Sequence, residues 1–535
     1  MQTFTLTFLA ALTIATAAKL WLGVRHLNHI QRHRDSVPTA FADEISLDAH
    51  HRAADYSCAK TRLALVSAAF ECALILALTF GGGLDLLHAI AVGWFAPGIA
   101  RGVALIVLLA IVMAVVDIPF GWYRTFGIEQ RFGFNKMTPL LFLADILKHA
   151  ALAAALGIPL IACVLWVMEE SGDRWWLYAW LIWVAFNLII LAVYPTWIAP
   201  LFNRFSPLND PQLKERIERL ITKCGFKVQG LMVMDGSRRS SHGNAYFTGF
   251  GKTKRIVFFD TLLSRLGPSE IEAVLAHELG HFKLKHVVKR IIWIFAASLA
   301  FLWMLAQLMN QGWFYSGLNV QSPSTAMALI LFSIVVPQFI FLLQPVMSAY
   351  SRKHEFEADE YAARHASVTD LVSALVKLYK DNAATLTPDP LHSAFYDSHP
   401  PAALRIARLQ ATRPCTFHPS LETLMTAPDL AHTSCKPCEA GVSPLKPEDI
   451  TRLLKQLDGW EYRDGVITKA FEFKNYYQTM AFVNAVAWIS HREDHHPDLT
   501  VGYNKCRVEY STHAIAGLSE NDFICAAKLD ALLGL

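Results

Sequence analysis

The chain has 535 residues, of which 53% are hydrophobic and only 17% charged, with a mean hydropathy of +0.31. That composition excludes a protein that is water-soluble along its whole length and points to a polytopic membrane protein. A net charge of only +3, its basic residues spread over loops, excludes nucleic acid as a partner, and nine scattered cysteines without a disulfide pattern suit a reducing compartment.

Residues 4–24 form an apolar run interrupted only by Lys19, close to the ~20 residues needed to cross a ~30 Å hydrocarbon core. No positive residue precedes it, so it reads as a retained span and not as a signal peptide. Further runs at 63–80, 102–120, 150–168, 175–194, 291–309 and 326–347 bring the expectation to about seven spans. Arg25, Arg32, Arg34, Lys60 and Arg62 follow the first span, and Arg124, Arg131, Lys136 and Lys148 follow the third. By the positive-inside rule these loops are cytoplasmic, which puts the amino terminus outside and the polar segments 195–289 and 348–535 inside.

Glu71 and Asp117 fall within spans, where each costs about 2.5 to 3.5 kcal/mol at a helix centre. They are expected to pair inside the bundle or to line a wet cavity. Pro159 and Pro337 predict kinks in their spans.

The first polar segment opens with an amphipathic helical pattern at 207–224, its stripe made by Leu213, Ile217, Leu220 and Ile221. Short strands are predicted at 230–234, 244–249 and 255–260, and Ser269-Glu270 is read as the cap of the following helix. That helix carries His277-Glu278-Leu279-Gly280-His281, whose histidines share one helical face at i, i+4 and are spaced to share a zinc ion. Glu278 is then placed to take a proton from an attacking water. Strands feeding such a helix suit peptide cleavage, because an extended substrate can add to an exposed sheet edge. A third ligand is expected on another helix, in His354-Glu355-Phe356-Glu357-Ala358-Asp359. Glu355 and Asp359 share a face there, one to bind metal and the other to orient a histidine. Spacing leaves Glu357 as a competitor for the ligand position.

The segments GSRRSSHGNAYFTGFGKTKRIVFFDTLL (236–263), HELGH, SRKHEFEADEYA (351–362) and DSHPPAALRIARL (397–409), set among these spans, resemble the type I CAAX prenyl protease family of integral-membrane zinc metalloproteases. The resemblance covers residues 1–409. It implies one zinc per chain held by His277, His281 and Glu355, with Glu278 as general base and Asp359 behind a ligand. It also places Asn244, His399 and Arg405 beside the metal to hold substrate or the developing oxyanion, and it implies a chamber enclosed by the spans. A transporter or scaffold with an incidental HExxH is the competing class.

Residues 411–447 are proline-rich and read as a linker, with Cys435 and Cys438 as a lone CxxC that suits free thiols. Beyond it a soluble module is expected: helix 447–457, strands within 460–473, helix 475–490, strands within 500–510 and helix 519–533. His491, His495, His496 and His513 gather there as an acid-base or pH-sensing cluster. The run HREDHHPDLTVGYNKCRVEYSTHAIAGLSENDF (491–523) is similar to pterin-4a-carbinolamine dehydratase. That implies His495, His496 and His513 around a 4a-hydroxytetrahydropterin, with Pro497 and Asp522 in the same motif and no cofactor. It also implies self-association through this module, which as a mere dimerisation or regulatory element is the competing reading.

The expected architecture is therefore a polytopic α-helical membrane protein whose spans enclose a chamber, with a zincin-like α+β catalytic segment and a soluble α+β dehydratase domain. The expected boundaries are 1–410 for the protease, 411–433 for a linker and 434–535 for the dehydratase. Expected partners are a peptide or protein substrate, a pterin and membrane lipid, in a bacterial-type inner membrane.

Overall fold

A computed structural model describes residues 2–226, 230–248, 255–411, 430–435 and 444–533. The chain divides into two compact units, Met1–Thr416 and Phe417–Leu535. Among the described residues seven helices are long and apolar enough to cross a membrane: Thr3–Arg32, Leu47–Leu78, Ile99–Glu129, Pro139–Glu170, Gly172–Leu201, His286–Leu308 and Thr325–His365. Most run well past the apolar stretches that announce them, because their polar ends stay helical once caps satisfy the free N–H groups. Ser46 accepts from Ala49 N–H, Thr138 from Leu141 N–H and Ser324 from Met327 N–H.

The bundle shows large apolar side chains such as Leu140, Ile189, Trp197 and Trp293 on its outside, the face a bilayer covers. Its tight core, including Phe8, Leu84, Leu105, Leu165, Phe314 and Leu331, gathers at the end remote from the HExxH helix. Part of that core is a short helix, Gly83–Trp94, between the second and third spans. Elsewhere the bundle carries open pockets between its helices. Lys19, Lys60, Glu71, Arg124, His392 and Tyr396 line a cavity of about 520 Å³. Glu71 and Asp117 line its neighbour, and Glu71 also pairs with Lys19 at 3.0 Å, so it combines both expected roles.

Beside the bundle lies a four-stranded sheet in the order β1-β2-β4-β3, from β1 (Phe205–Pro207), β2 (Gly230–Met234), β3 (Ala245–Thr248) and β4 (Arg255–Phe259). The β2–β4 pair is parallel and the others antiparallel, leaving β3 at an edge. The amphipathic helix is Pro211–Lys223 and starts later than expected, because Pro207 closes β1 and the Asp210 carboxylate caps Gln212 and Leu213. Its stripe packs with Ile256 and Phe258 of the sheet and with Ile271, Leu275 and Leu279 of the HExxH helix. That helix, Pro268–Lys283, is capped at Gly267, whose N–H donates to Glu270 at 2.7 Å, and not at Ser269.

In the second unit β5 (Glu461–Arg463), β6 (Val466–Glu472), β7 (Asp498–Val501) and β8 (Lys505–Tyr510) form an antiparallel sheet in the order β5-β6-β8-β7. Helices Pro447–Leu454, Tyr476–Glu493 and Glu520–Leu533 accompany it, and Ile467, Val486, Val508, Tyr510 and Phe523 are its buried centre. Most of the expected linker lies outside the described residues, as does Cys438. Residues 430–435 belong to this unit, with Leu430 in its core and the Cys435 Sγ 3.6 Å from that of Cys525.

Candidate active sites

Two helices build the first site. Pro268–Lys283 supplies His277 and His281 one turn apart, and Gln344–His365, which continues the seventh span, lies against it. They meet at Gly280, which stands against Ala358 and Tyr361. There the His277 and His281 Nε2 atoms are 3.2 Å apart, and the Glu355 carboxylate is 3.5 Å from the first and 3.4 Å from the second. Ligand atoms of these three residues all lie within 4.8 Å of one another. Glu355 is buried, and its Oε2 has no hydrogen-bond donor. Two imidazoles and an unsatisfied buried carboxylate oxygen suit a divalent cation, and a His₂Glu donor set suits zinc.

Asp359, one turn beyond Glu355, sits 2.8 Å from His277 Nδ1 and takes a two-pronged contact from Arg405, Nε to Oδ2 at 2.8 Å and Nη2 to Oδ1 at 2.6 Å. Burial works against a charged His277, but the Asp359 and Glu355 carboxylates more than offset it and raise the imidazole to about 9. Were a metal ion held at Nε2, its binding would release a proton from this imidazole. Arg405 is buried, and only its Nη1, 3.8 Å from Glu355, is left over from the Asp359 pair.

The cleft over this trio has a volume of about 370 Å³ and is lined by Asn244, Glu278, His399, Arg405 and Tyr379, among others. Glu278 is half-buried in it. Asn244 stands exposed at the start of the edge strand β3, and His399 is exposed with Nε2 3.4 Å from Glu355. Of the residues read from the sequence for this site, His277, Glu278, Glu355, Asn244, His399 and Arg405 line this cleft, while His281 and Asp359 reach it only through their contacts with Glu355 and His277. Glu357 does not point there: its carboxylate goes to His286, 2.9 Å away. Sequence reasoning missed both that contact and Tyr379.

A helical membrane bundle with an HExxH helix, a third carboxylate and an edge strand beside them defines the class of integral-membrane metallopeptidases. Residues 26–204 match the family model "CAAX prenyl protease N-terminal, five membrane helices", and residues 207–413 match "Peptidase family M48". The chain is 39% identical over 295 residues to the CAAX prenyl protease 1 homolog of Arabidopsis thaliana, covering 55% of this chain and 69% of that one. It is 31% identical over 399 residues to CAAX prenyl protease 1 of Saccharomyces cerevisiae, covering 70% and 88%. The crystal structure of S. mikatae Ste24p superposes with a TM-score of 0.72 at 30% identity, over 76% of this chain and 99% of that one. The chain belongs to the CAAX prenyl protease 1 family of M48 metallopeptidases.

In the second unit a pocket is lined by His495, His496, His513, Asn521, Ser434 and Cys435, among others. His491 is not among its lining residues, being exposed a turn earlier on the helix. Asp494, in the left-handed region at φ 50°, ends that helix and turns the chain so that His495 is buried while His496 is exposed. His495 Nε2 donates to Asp522 Oδ1 at 2.7 Å, and Asp522 Oδ2 accepts from Thr512 Oγ1 at 2.8 Å and Ser519 N–H at 2.7 Å. Asp522 is fully buried, and as acceptor for His495 Nε2–H it holds that imidazole in one tautomer. Residues 443–532 match the family model "Pterin 4 alpha carbinolamine dehydratase", so the chain joins a dehydratase domain to the metallopeptidase.

Proposed function

We propose that the membrane unit is a zinc endopeptidase working at the cytoplasmic face on peptides, prenylated CAAX-type carboxyl termini among them. The convergence of His277, His281 and the unsatisfied Glu355 carboxylate in a cleft beside an edge strand carries this reading. His277, His281 and Glu355 would hold the metal, which when bound supplies a Lewis acid and lowers the pKa of water there. An extended peptide adds to β3 by main-chain hydrogen bonds, which puts its carbonyls along the cleft. Glu278 takes the proton of the attacking water and returns it to the departing amine. Asn244 and His399 supply polar contacts to the scissile region, while Arg405 steadies Asp359 and turns Nη1 toward developing charge. The positive loops around residues 25–62 and 124–148 support an amino terminus outside and both catalytic units inside, in a bacterial-type inner membrane.

For the second unit the reading is dehydration of a 4a-hydroxytetrahydropterin without a metal. Because His495 spends its Nε2 proton on Asp522, its Nδ1 carries the lone pair, which makes it the proton acceptor of the set. The exposed His496 and His513 are then left to protonate the departing hydroxyl. Self-association through this unit belongs to the same reading.

The deciding experiment measures zinc in the purified full chain and cleavage of matched peptides with and without a prenyl group. One zinc per chain and cleavage abolished by Glu278→Ala are expected. Retained cleavage in that variant would refute the base assignment, and equal rates on both peptides would refute prenyl specificity.

A further inference from the structure

His277 is steadied from behind by Asp359, but the structure also gives His281 a backing that no motif announces. His281 Nδ1 lies 3.0 Å from His286 Nδ1, and His286 Nε2 lies 2.9 Å from Glu357 Oε2. His286 is buried, with its ring stacked on His354 at 4.0 Å between centroids and 8° between planes. The contact exists because the chain reverses sharply after the HExxH helix. Lys285 takes a left-handed conformation at φ 58°, which costs a non-glycine residue roughly 1 kcal/mol or more. Without that turn a residue five positions after His281 would lie on a different face of a continuing helix.

Ligand atoms of His286, His354 and Glu357 also lie within 4.8 Å of one another, which invites a second cation site. The ring geometry opposes it. Parallel stacked imidazoles aim their in-plane lone pairs along parallel planes instead of at one point, and both His286 nitrogens already have partners.

The proton count gives the trio a different use. A ligand at His281 Nε2 needs the lone pair there, so the His281 proton sits on Nδ1 and donates to His286 Nδ1. His286 must then carry its own proton on Nε2, where it donates to Glu357. We propose that His286, held by Glu357, is a positioning residue that fixes the tautomer and ring plane of His281, as Asp359 does for His277. This rests on the zinc reading of the first site. It means that the single helix Gln344–His365 supplies one ligand and, through Asp359 and Glu357, sets the orientation of the other two.

The test uses full-length protein loaded with zinc or cobalt and compares wild type with His286→Leu, His286→Gln and Glu357→Ala. Readouts are zinc affinity by chelator competition, the visible cobalt spectrum, and KM against kcat. His286→Leu is expected to weaken zinc by about 10- to 100-fold, to change the cobalt spectrum and to lower kcat with KM unchanged. His286→Gln can accept from His281 and donate to Glu357, and it restores most of the loss. Glu357→Ala, at a half-exposed carboxylate that folding tolerates, weakens zinc in the same direction. Wild-type affinity in His286→Leu or, should that variant not fold, in Glu357→Ala overturns the proposal. So does a second zinc equivalent that disappears in His286→Leu. A wild type that binds no zinc, or zinc binding untouched by His281→Ala, would instead sink the underlying site assignment.

Discussion

Gly280 sits between His277 and His281, the two histidines proposed as metal ligands, where Pro268–Lys283 touches Gln344–His365. A Cβ added there would stand 3.1 Å from both Ala358 Cα and Tyr361 Cβ and 3.2 Å from the Ala358 carbonyl oxygen. Two of those atoms are helix backbone and cannot turn aside, so Gly280→Ala must part the helices by about 0.3 Å to reach ordinary contact. That exceeds the ±0.2 Å within which metal–ligand distances hold. Overpacking of this kind costs about 1 to 3 kcal/mol, and the gain of about 1 kcal/mol in helix propensity offsets part of it. Global stability should therefore drop by no more than about 2 kcal/mol. Zinc affinity should fall by about 5- to 150-fold if the strain is released at the ligands. Chelator competition on the purified variant, with a thermal melt of the zinc-free form, separates the two effects. Wild-type zinc affinity and kcat in a folded Gly280→Ala would refute the view that helix contact at this glycine sets the ligand geometry.

Glu278→Gln should lower kcat for peptide cleavage by about 10²- to 10⁴-fold while metal analysis still finds bound zinc. In the second unit, His495→Ala should abolish carbinolamine turnover, measured by pterin absorbance, and leave peptide cleavage by the same preparation unchanged. Asp522→Asn should destabilise that unit by about 1 to 3 kcal/mol, because a buried acceptor of several donors is lost. At Glu270, burial alone would raise the carboxyl pKa, but Lys377, Ser373 and the Gly267 N–H more than offset it and hold it below its ordinary value. That stabilisation is complete above the unfolded carboxylate pKa of about 4.3 and fades as pH falls through the lower folded value. Wild type should thus melt above Glu270→Gln at pH 7, and the gap should start to close as pH falls below about 4.3 and vanish only below the lowered folded pKa. A gap that persists in acid would show that the bonds do not depend on charge.

Much of the membrane unit was legible because helical period and apolar length are local properties. The HExxH pair, and the Glu355 and Asp359 face, follow from positions four apart on one helix. What periodicity could not choose was which carboxylate of the second helix faces the histidines. Glu355 and Glu357 lie two positions apart, near opposite sides, and only the rotation of the packed helix gives the first to the imidazoles and the second to His286. His286 was invisible for a related reason: five residues from His281 is no helical repeat, and the left-handed turn at Lys285 has no glycine to advertise it. In the second unit, four histidines close in sequence read as one cluster. The helix continues through His491, which leaves that residue a turn away from the pocket reached by His495, His496 and His513.

The seventh span has a further consequence. It runs from Thr325 to His365 with only a short turn of tighter helix at Phe341–Leu343, so Glu355 rides on an arm rooted among lipid tails. From Ile340 to Glu355 the arm is roughly 22 Å long at 1.5 Å per residue, and a tilt of about one degree swings its end by about 0.4 Å. Thin or thick bilayers tilt their helices to match. A bilayer that tilts this span would shift the carboxylate against its two histidines, so turnover is expected to change with acyl-chain length.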